Sequence, residues 1–273
     1  MSLEGKTILV TRPRGQSQEI QNLLESQGGT VVFQPVIEIL PVEDDTAIQR
    51  HTQWMELFEM RQTEADQNWR FIQNSDGDCT YDWLLFSSAN GVEYFMQYFD
   101  HNNPVYLGGK PIHLAAVGPG TAAALLRFGL EADIVPELHQ AEGLIEALKN
   151  IAIRGKYFLL VRGSRGRDTL ATELVRLGGR VDEIVVYRSV DVTQSDTGIR
   201  DMLHSGQIDV VTATSSSIAH SLIKLFGEGL RKSRIVTISP LTSQVFQDAG
   251  FPVAGQAESA TIASLVECVA SMF

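Results

Sequence analysis

The stretch GKTILVTRPRGQSQEIQNLLESQGGTVV, from Gly5 to Val32, decides the fold because the chain carries it twice. Its second copy, GKYFLLVRGSRGRDTLATELVRLGGRVD, begins at Gly155, 150 positions later. Nine residues are identical over positions 5–36 without a gap, where matching by chance at ordinary residue frequencies gives about two. The two halves of the chain are therefore related by an internal repeat.

Two further units repeat in the same order. YDWLLFSSANGVEYFMQYF, from Tyr81, matches IDVVTATSSSIAHSLIKLF, and HLAAVGPGTAAALLRFGL, from His113, matches RIVTISPLTSQVFQDAGF. Each unit has a short apolar run, a turn rich in Gly, Ser, Thr and Pro, and then helical periodicity. This alternation predicts an α/β fold of two doubly wound domains, each a parallel sheet with helices on both faces and ligands at the carboxyl ends of the strands.

Two extended stretches, PVIEILPV at 35–42 and IVVYRSVD at 184–191, occupy equivalent repeat positions. We expect each to cross between the domains, together as a two-stranded ribbon. The prediction is a discontinuous domain of 1–35 and 192–273, a second domain of 43–184, and linkers at 36–42 and 185–191. The alternative is a simple cut near Asn150.

The first half is longer because of an acidic insertion at about 43–80. Between Glu43 and Asp82 the chain carries ten acidic and three basic residues. The helical spacing of Ile48, Met55 and Phe58 predicts a surface helix packed on the second domain. A partner-binding role for this segment is the alternative.

Composition excludes several classes of protein. The 273 residues are 44% hydrophobic and 20% charged, as in ordinary globular domains. The net charge of −11 argues against non-specific nucleic-acid binding. Neither a membrane-length apolar run nor a signal-peptide pattern is present, so we expect a cytoplasmic protein without membrane contact. The spacing of the two cysteines and six histidines predicts no disulfide framework and no metal site.

Four turns each follow a strand and begin a helix. Their backbone N–H groups and hydroxyls lie at the positive N-terminal end of that helix, which favours the binding of a carboxylate or a phosphate. The turns are SSANG at 87–91, GPGT at 118–121, TSSS at 214–217 and SPLT at 239–242. Ordinary helix capping is the alternative for each turn. The GPGTAA turn also imitates a dinucleotide fingerprint, which keeps an NAD or nucleotide-sugar enzyme as a rival, although no acidic residue ends a strand about 20 positions on.

Basic and aromatic side chains add candidates. Arg12 and Arg14 occupy the first turn, and Arg162 occupies its repeat partner. Guanidinium groups match carboxylates in geometry and charge, although surface arginines are common. Tyr187 lies in the second crossing stretch, where its hydroxyl faces a ligand or its ring contributes to packing.

Taken in order, the segments GKTILVTRPRGQ, YDWLLFSSANGVEYF, VGPGTAAALLRFGL, LVRGSRGRDTL, GGRVDEIVVYRSV, DVVTATSSSIAH and ISPLTSQVFQDAGF resemble the uroporphyrinogen-III synthase family. The resemblance covers almost the whole chain except about 43–80. It implies two flavodoxin-like domains, joined by a two-stranded β linker and separated by an open cleft. It also implies an enzyme that needs no metal or cofactor, and we expect a monomer by default.

The family acts on hydroxymethylbilane, a linear tetrapyrrole with eight carboxylates, in heme, siroheme and chlorophyll biosynthesis. As a hydro-lyase it removes the terminal hydroxyl as water, inverts the D ring and closes the macrocycle to uroporphyrinogen III. The implied partner is this small molecule, and a transient contact with hydroxymethylbilane synthase is left open. The rival class is a two-lobed α/β binding protein, against which the absent signal peptide and Tyr187 argue.

The resemblance implies that Tyr187 is the acid for the departing hydroxyl. It places Thr121, Ser215, Thr242, Ser88 and Asn90 near the substrate. Together with the candidates from the turns, the expected substrate-binding residues are Arg12, Arg14, Ser88, Asn90, Gly118, Thr121, Arg162, Ser215, Ser216 and Thr242.

Overall fold

The computed structural model describes residues 2–42, 81–97, 106–107 and 110–273. The helix expected within the insertion at 43–80 lies outside these residues. The chain divides into two compact units, one of Met1–Ile39 with Ser189–Phe273 and one of Leu40–Arg188. The chain passes from one unit to the other after Ile39, inside the stretch 36–42, and after Arg188, inside the stretch 185–191.

The described strands are β1 (Thr7–Val10), β2 (Thr30–Phe33), β3 (Ile37–Pro41), β4 (Trp83–Phe86), β5 (Tyr106–Leu107), β6 (Lys110–Pro111), β7 (His113–Ala116), β8 (Tyr157–Gly163), β9 (Arg180–Asp191), β10 (Val210–Ala213), β11 (Arg234–Thr237) and β12 (Val253–Gln256). The described α-helices are α1 (Gln18–Ser26), α2 (Ala89–Met96), α3 (Pro119–Leu126), α4 (Ala141–Lys149), α5 (Thr169–Arg176), α6 (Thr197–Ser205), α7 (Ser216–Phe226), α8 (Pro240–Asp248) and α9 (Ile262–Ala270). Short 3-10 turns occupy Arg14–Gln16 and Gly227–Lys232. None of the helices in these described ranges is long and apolar enough to cross a bilayer.

Each unit has one five-stranded sheet. The first has the order β12-β11-β10-β1-β2, with every neighbouring pair parallel. The second has the order β3-β9-β8-β4-β7, and the pairs β9-β8, β8-β4 and β4-β7 are parallel. The expectation of an α/β fold with parallel sheets is therefore confirmed.

Helices cover both faces of each sheet because alternate strand residues face opposite sides. In β1, Leu9 joins a buried cluster with residues of α6, α7 and α8, whereas Ile8 and Val10 join a second cluster with α1 and α9. In β4, Leu84 packs with residues of α2 and α3, and Leu85 packs with residues of α4 and α5. Both sheets thus have the doubly covered arrangement that near-continuous apolar strands favour.

The internal repeat is preserved element by element. Strands β4 and β10 and helices α2 and α7 each begin 127 positions apart, and β7 and β11, like α3 and α8, begin 121 positions apart. After α1 and α5 the first glycine of each GG pair has a positive φ, 86° at Gly28 and 89° at Gly178. Glycine takes this left-handed conformation without steric cost, so both helices end in the same way.

One structural feature was not predicted. The extended stretch 184–191 is part of a longer strand, β9, which runs without interruption from Arg180 to Asp191. The strand is continuous because its alternating apolar residues keep pairing with β8 up to Tyr187, across one register shift. Tyr187 therefore lies in a sheet strand, at the register shift of the β8-β9 pair.

Candidate functional site

The carboxyl ends of three strands lie side by side in the second unit. Ser87 donates its backbone N–H to the Val161 carbonyl at 3.2 Å, and Val117 donates to the Phe86 carbonyl at 3.0 Å. The turns after β8, β4 and β7 therefore share one edge of the sheet, as parallel strands require. Ser88 begins α2 as its N-cap and accepts the Gly91 backbone N–H at 3.0 Å.

Tyr187 reaches this edge from β9. Its Oη lies 3.0 Å from Ser88 Oγ, and the Asn90 side chain also forms a hydrogen bond to it. The ring of Tyr94 in α2 lies 5.7 Å from the Tyr187 ring, centroid to centroid. Three residues that the sequence predicts for the site, Tyr187, Ser88 and Asn90, are thus brought together at the start of α2.

The environment of Tyr187 favours its protonated form. Burial raises the pKa of the Tyr187 phenol above its usual value, and this effect outweighs the hydrogen bonds from Ser88 and Asn90 and the positive charge of Arg162, which lower it. At neutral pH the phenol therefore carries its proton. It is a hydrogen-bond donor and a weak acid at the carboxyl edge of the sheet.

Arg162 is buried beneath this edge and engaged by the protein itself. Its guanidinium donates to the carboxylates of Asp168 and Glu183 and to the Gly166 carbonyl. These carboxylates raise its pKa in spite of its burial. Only Nε lacks a hydrogen-bond partner among the described residues. Arg162 therefore holds the loop 164–168, and its predicted contact with substrate would have to use Nε or displace a partner.

The third turn of this unit contains Gly118 and Thr121. Gly118 begins α3, and a Cβ there would lie 3.1 Å from Cβ of His139, which packs against it. Thr121 is buried and donates its backbone N–H to the Gly118 carbonyl at 3.1 Å. These two residues form the neighbouring strand end, one strand away from Ser88.

The first unit has its own row of strand ends. Thr11, fully buried after β1, donates its hydroxyl to the Thr212 carbonyl at 2.7 Å, and Ile238 donates its backbone N–H to the Ala213 carbonyl at 3.0 Å. Arg12 follows Thr11 and is partly buried, whereas Arg14 lies in the 3-10 turn and is exposed. The turn after β1 therefore carries two guanidinium groups, that of the partly buried Arg12 and that of the exposed Arg14.

The predicted hydroxyls of the first unit occupy the next two turns. Ser215 is the N-cap of α7 and accepts the Ile218 backbone N–H at 3.2 Å. Ser216 donates its hydroxyl to the Leu241 carbonyl at 3.3 Å, which ties this turn to the next. Thr242 is buried, with its hydroxyl 3.1 Å from that of Ser239, the N-cap of α8. The capping interpretation thus describes Ser215, whereas Ser216 and Thr242 use their hydroxyls in other hydrogen bonds.

A comparison of the two copies of the first turn separates the roles of their arginines. Arg12 and Arg162 are repeat partners, yet the positions that correspond to Asp168 and Glu183 are Gln18 and Phe33. Arg12 has no ion pair within the described residues and only a longer-range attraction to Glu19, and burial lowers its pKa. Its charge is therefore left without the carboxylates that neutralise Arg162.

The site residues expected from the sequence omit three residues of these edges, although Ser239 lies in the predicted turn at 239–242. Gly163 contacts the Tyr187 ring, Tyr94 lies beside that ring, and Ser239 supports Thr242. The repeat pairs Ser239 with Gly118, which was a usable signal for its position. No comparable signal exists for Gly163, because its repeat partner is Pro13. Across the described ranges, no group of three or more His, Cys, Asp or Glu side chains is placed to bind a metal ion.

Comparison with known proteins gives consistent matches. Residues 18–267 match the family model described as uroporphyrinogen-III synthase HemD. The chain is 27% identical over 252 residues to a uroporphyrinogen-III synthase from Chlorobaculum parvum, covering 91% of both chains. It is 30% identical to a putative uroporphyrinogen-III synthase from Methanothermobacter thermautotrophicus, covering 88% of both chains.

A solved structure has the same fold. The crystal structure of a mutant uroporphyrinogen III synthase from the extreme thermophile Thermus thermophilus matches with a TM-score of 0.62. The alignment covers 97% of this chain and 98% of that chain at 17% identity. At this identity the match establishes the fold, while membership of a family rests on the sequence matches.

Proposed function

This chain belongs to the uroporphyrinogen-III synthase family, and we propose that it converts hydroxymethylbilane to uroporphyrinogen III in tetrapyrrole biosynthesis. The observation that carries the proposal is the protonated Tyr187 phenol held by Ser88 and Asn90, in a chain that matches the family over 18–267. The reaction requires a proton for a departing hydroxyl, and the phenol is a suitable donor. On this basis the chain is a hydro-lyase.

The first step breaks the bond between the terminal hydroxymethyl carbon and its oxygen. Tyr187 donates its proton to that oxygen, water leaves, and the pyrrole nitrogen stabilises the resulting azafulvene cation. Hydrogen bonds from Ser88 and Asn90 and the positive charge of Arg162 stabilise the phenolate left behind. The proton released when the macrocycle regains its pyrrole rings restores the phenol, so the net change is the loss of one water.

The second requirement is to direct the cation to the substituted carbon of ring D. Attack there gives a spiro intermediate that opens and recloses with the ring reversed, whereas attack at the free carbon gives the symmetric isomer. The barrier to ionisation is already modest, so positioning is the larger part of catalysis. We assign this positioning to contacts with the substrate carboxylates.

Groups at the strand ends support the assignment of those contacts. Arg12 supplies a partly buried cation that has no ion pair among the described residues. The N-termini of α3, α7 and α8 supply backbone N–H groups beside Thr121, Ser215, Ser216 and Thr242. Many separate donors can bind a substrate with eight carboxylates, so the protein does not need a basic surface overall.

We further propose that each unit is a flavodoxin-like domain and that β3 and β9 form the linker. The strand order of the first unit, read in chain order within that unit, is 2-1-3-4-5, the order of that fold. Strands β3 and β9 are neighbours in one sheet, and each contains a point where the chain passes between units. A cytoplasmic monomer, with hydroxymethylbilane synthase as a transient partner, completes the proposal.

The test supplies freshly generated hydroxymethylbilane and separates the two uroporphyrinogen isomers by chromatography. We expect the type III isomer from the intact chain and a rate lower by roughly tenfold or more with Tyr187→Phe, because the acid is removed while the ring stays. Formation of only the symmetric isomer at the uncatalysed rate would refute the proposed function. Unchanged turnover by Tyr187→Phe would remove Tyr187 from the acid role alone.

A further inference from the structure

We propose that Gly163 is a positioning residue, whose missing side chain makes the space in which the Tyr187 ring lies. This inference rests on the proposed function, because it assigns a role to a residue that supports the proposed acid. Gly163 has no polar side-chain group and contributes nothing to chemistry directly. Its effect on the reaction would pass entirely through Tyr187.

The pairing of β8 with β9 places these residues face to face. The register shifts between Arg162 and Gly163, so that Arg162 pairs with Val185 but Gly163 pairs with Tyr187. Such a shift redirects the side chains near it, and strand glycines commonly mark a close approach of another group. Ser164 then donates its backbone N–H to the Tyr187 carbonyl at 3.0 Å, which fixes the backbone of Tyr187 at the same point.

The ring lies where a side chain at position 163 would have to be. A Cβ on Gly163 would be 2.6 Å from Cε2 and 2.7 Å from Oη of Tyr187, and closer still to Cζ. Real Cβ contacts are not this short, so even alanine would push the ring away. The requirement is for space, since the φ angle of Gly163 is not in the positive range in which glycine is favoured for its backbone.

The ring cannot give way without cost to the phenol oxygen. Oη is held at 3.0 Å from Ser88 Oγ and by the Asn90 side chain, and Tyr94 lies against the same ring. A rigid aromatic ring pushed at Cζ and Cε2 carries its oxygen with it. Substitution of Gly163 should therefore move the acid from its hydrogen bonds while leaving the sheet intact.

The test measures kinetics of Gly163→Ala with freshly generated hydroxymethylbilane. We expect kcat for the type III isomer to fall by roughly tenfold or more, because small displacements of a catalytic group are costly, while KM changes less than about twofold. In a Tyr187→Phe background, Gly163→Ala should cause no further loss, because the phenol through which it acts is already gone. A structural role would instead lower activity equally in both backgrounds.

Gly229→Ala is the matched control. A Cβ at Gly229 would make only ordinary contacts, the nearest at 3.5 Å from the His204 ring, and the residue lies in the 3-10 turn before β11. We expect its kcat to equal that of the wild type. Wild-type kcat in Gly163→Ala would overturn the proposal, and so would an equal loss in the two backgrounds.

A second measurement keeps the inference testable if Gly163→Ala does not fold. In the wild-type protein with carbon-13 at the tyrosine ε positions, Tyr187 can be assigned by the signal lost in Tyr187→Phe. A ring confined between Gly163 and its hydrogen-bond partners should flip slowly and show two separate signals. One averaged signal would overturn the inference, whereas a wild-type chain that makes no type III isomer would refute the proposed function itself.

Discussion

At the scale of single residues, the protonation of Tyr187 is set by two opposing effects. Burial raises the pKa of its phenol, and hydrogen bonds from Ser88 and Asn90 lower it less. The folded protein therefore binds this proton more tightly than the unfolded chain does. The stabilisation is complete below about pH 10, the ordinary pKa, and is lost as the pH rises through the raised value.

This balance predicts a late ionisation of Tyr187. The difference in phenolate absorbance between the wild type and Tyr187→Phe, followed on rising pH while circular dichroism reports the fold, should have its midpoint above pH 10. For the same reason, the acid-dependent rate should not decline through mildly alkaline pH. A midpoint of Tyr187 ionisation below pH 10 in the folded protein would contradict both expectations.

The two repeat-related arginines predict opposite phenotypes. Arg12→Gln should raise KM by roughly tenfold through the loss of a charge-assisted contact, with an unchanged melting temperature. Arg162→Gln should lower the free energy of unfolding by about 1–3 kcal/mol, because Asp168 and Glu183 lose their donor. The larger losses seen for fully buried pairs are not expected, since the Asp168 side chain is 78% exposed.

Kinetics and thermal unfolding of the two variants check this division. A fall in stability for Arg12→Gln without a change in KM would show that Arg12 is structural after all. The sequence alone could propose both arginines but could not separate them. Their difference depends on carboxylates at 168 and 183 that only the fold brings next to Arg162.

At the scale of elements, Ser88 combines two tasks in one hydroxyl. It caps α2 through the Gly91 backbone N–H and contacts the Tyr187 phenol. Thr261 caps α9 in the same way, accepting the Ser264 backbone N–H at 3.2 Å, but touches no predicted site residue through a described hydrogen bond. The pair therefore separates capping from catalysis.

We expect Ser88→Ala and Thr261→Ala each to lower the free energy of unfolding by about 1 kcal/mol, the usual cost of a lost cap. Only Ser88→Ala should also lower kcat for the type III isomer. Denaturant unfolding and steady-state kinetics on both variants make the comparison. If kcat fell equally in both, the effect would belong to stability.

Much of the element level could be predicted from the sequence. The strand Thr7–Val10 and the glycine ends of α1 and α5 follow from local apolar runs and backbone preferences. The continuity of β9 could not be predicted, because it depends on pairing with β8, which is remote in sequence. The closeness of Tyr187 to Gly163 was hidden for the same reason.

At the scale of the whole molecule, each copy of the repeat contains one aspartate that anchors the start of a neighbouring strand. Asp82 binds the Lys156 ammonium at 2.6 Å and the Tyr157 backbone N–H at 2.9 Å. Asp209 binds Lys6 at 3.3 Å and the Thr7 backbone N–H at 2.9 Å in the same pattern. Asp82 directly precedes β4 and binds the start of the neighbouring strand β8. Asp209 directly precedes β10 and binds the start of the neighbouring strand β1.

These anchors predict additive losses. Asp82→Ala and Asp209→Ala should each lower the free energy of unfolding by about 1–2 kcal/mol, since each removes an ion pair and the side-chain acceptor of a backbone N–H. The double variant should lose the sum, because the two anchors share no residue. Denaturant unfolding of the three variants is the measurement, and a double loss well below the sum would indicate coupling.

The internal repeat also bears on how such a reaction becomes selective. A homodimer encoded by one half-length gene would present every tyrosine, arginine and serine twice, in two-fold symmetry. In a single chain that holds both copies, a position can change in one half alone. In this chain the repeat partner of Tyr187 is Ile37, and Arg162 has nearby carboxylates that Arg12 lacks. Divergence between the halves thus leaves one acid, Tyr187, for a substrate with one hydroxymethyl group to ionise.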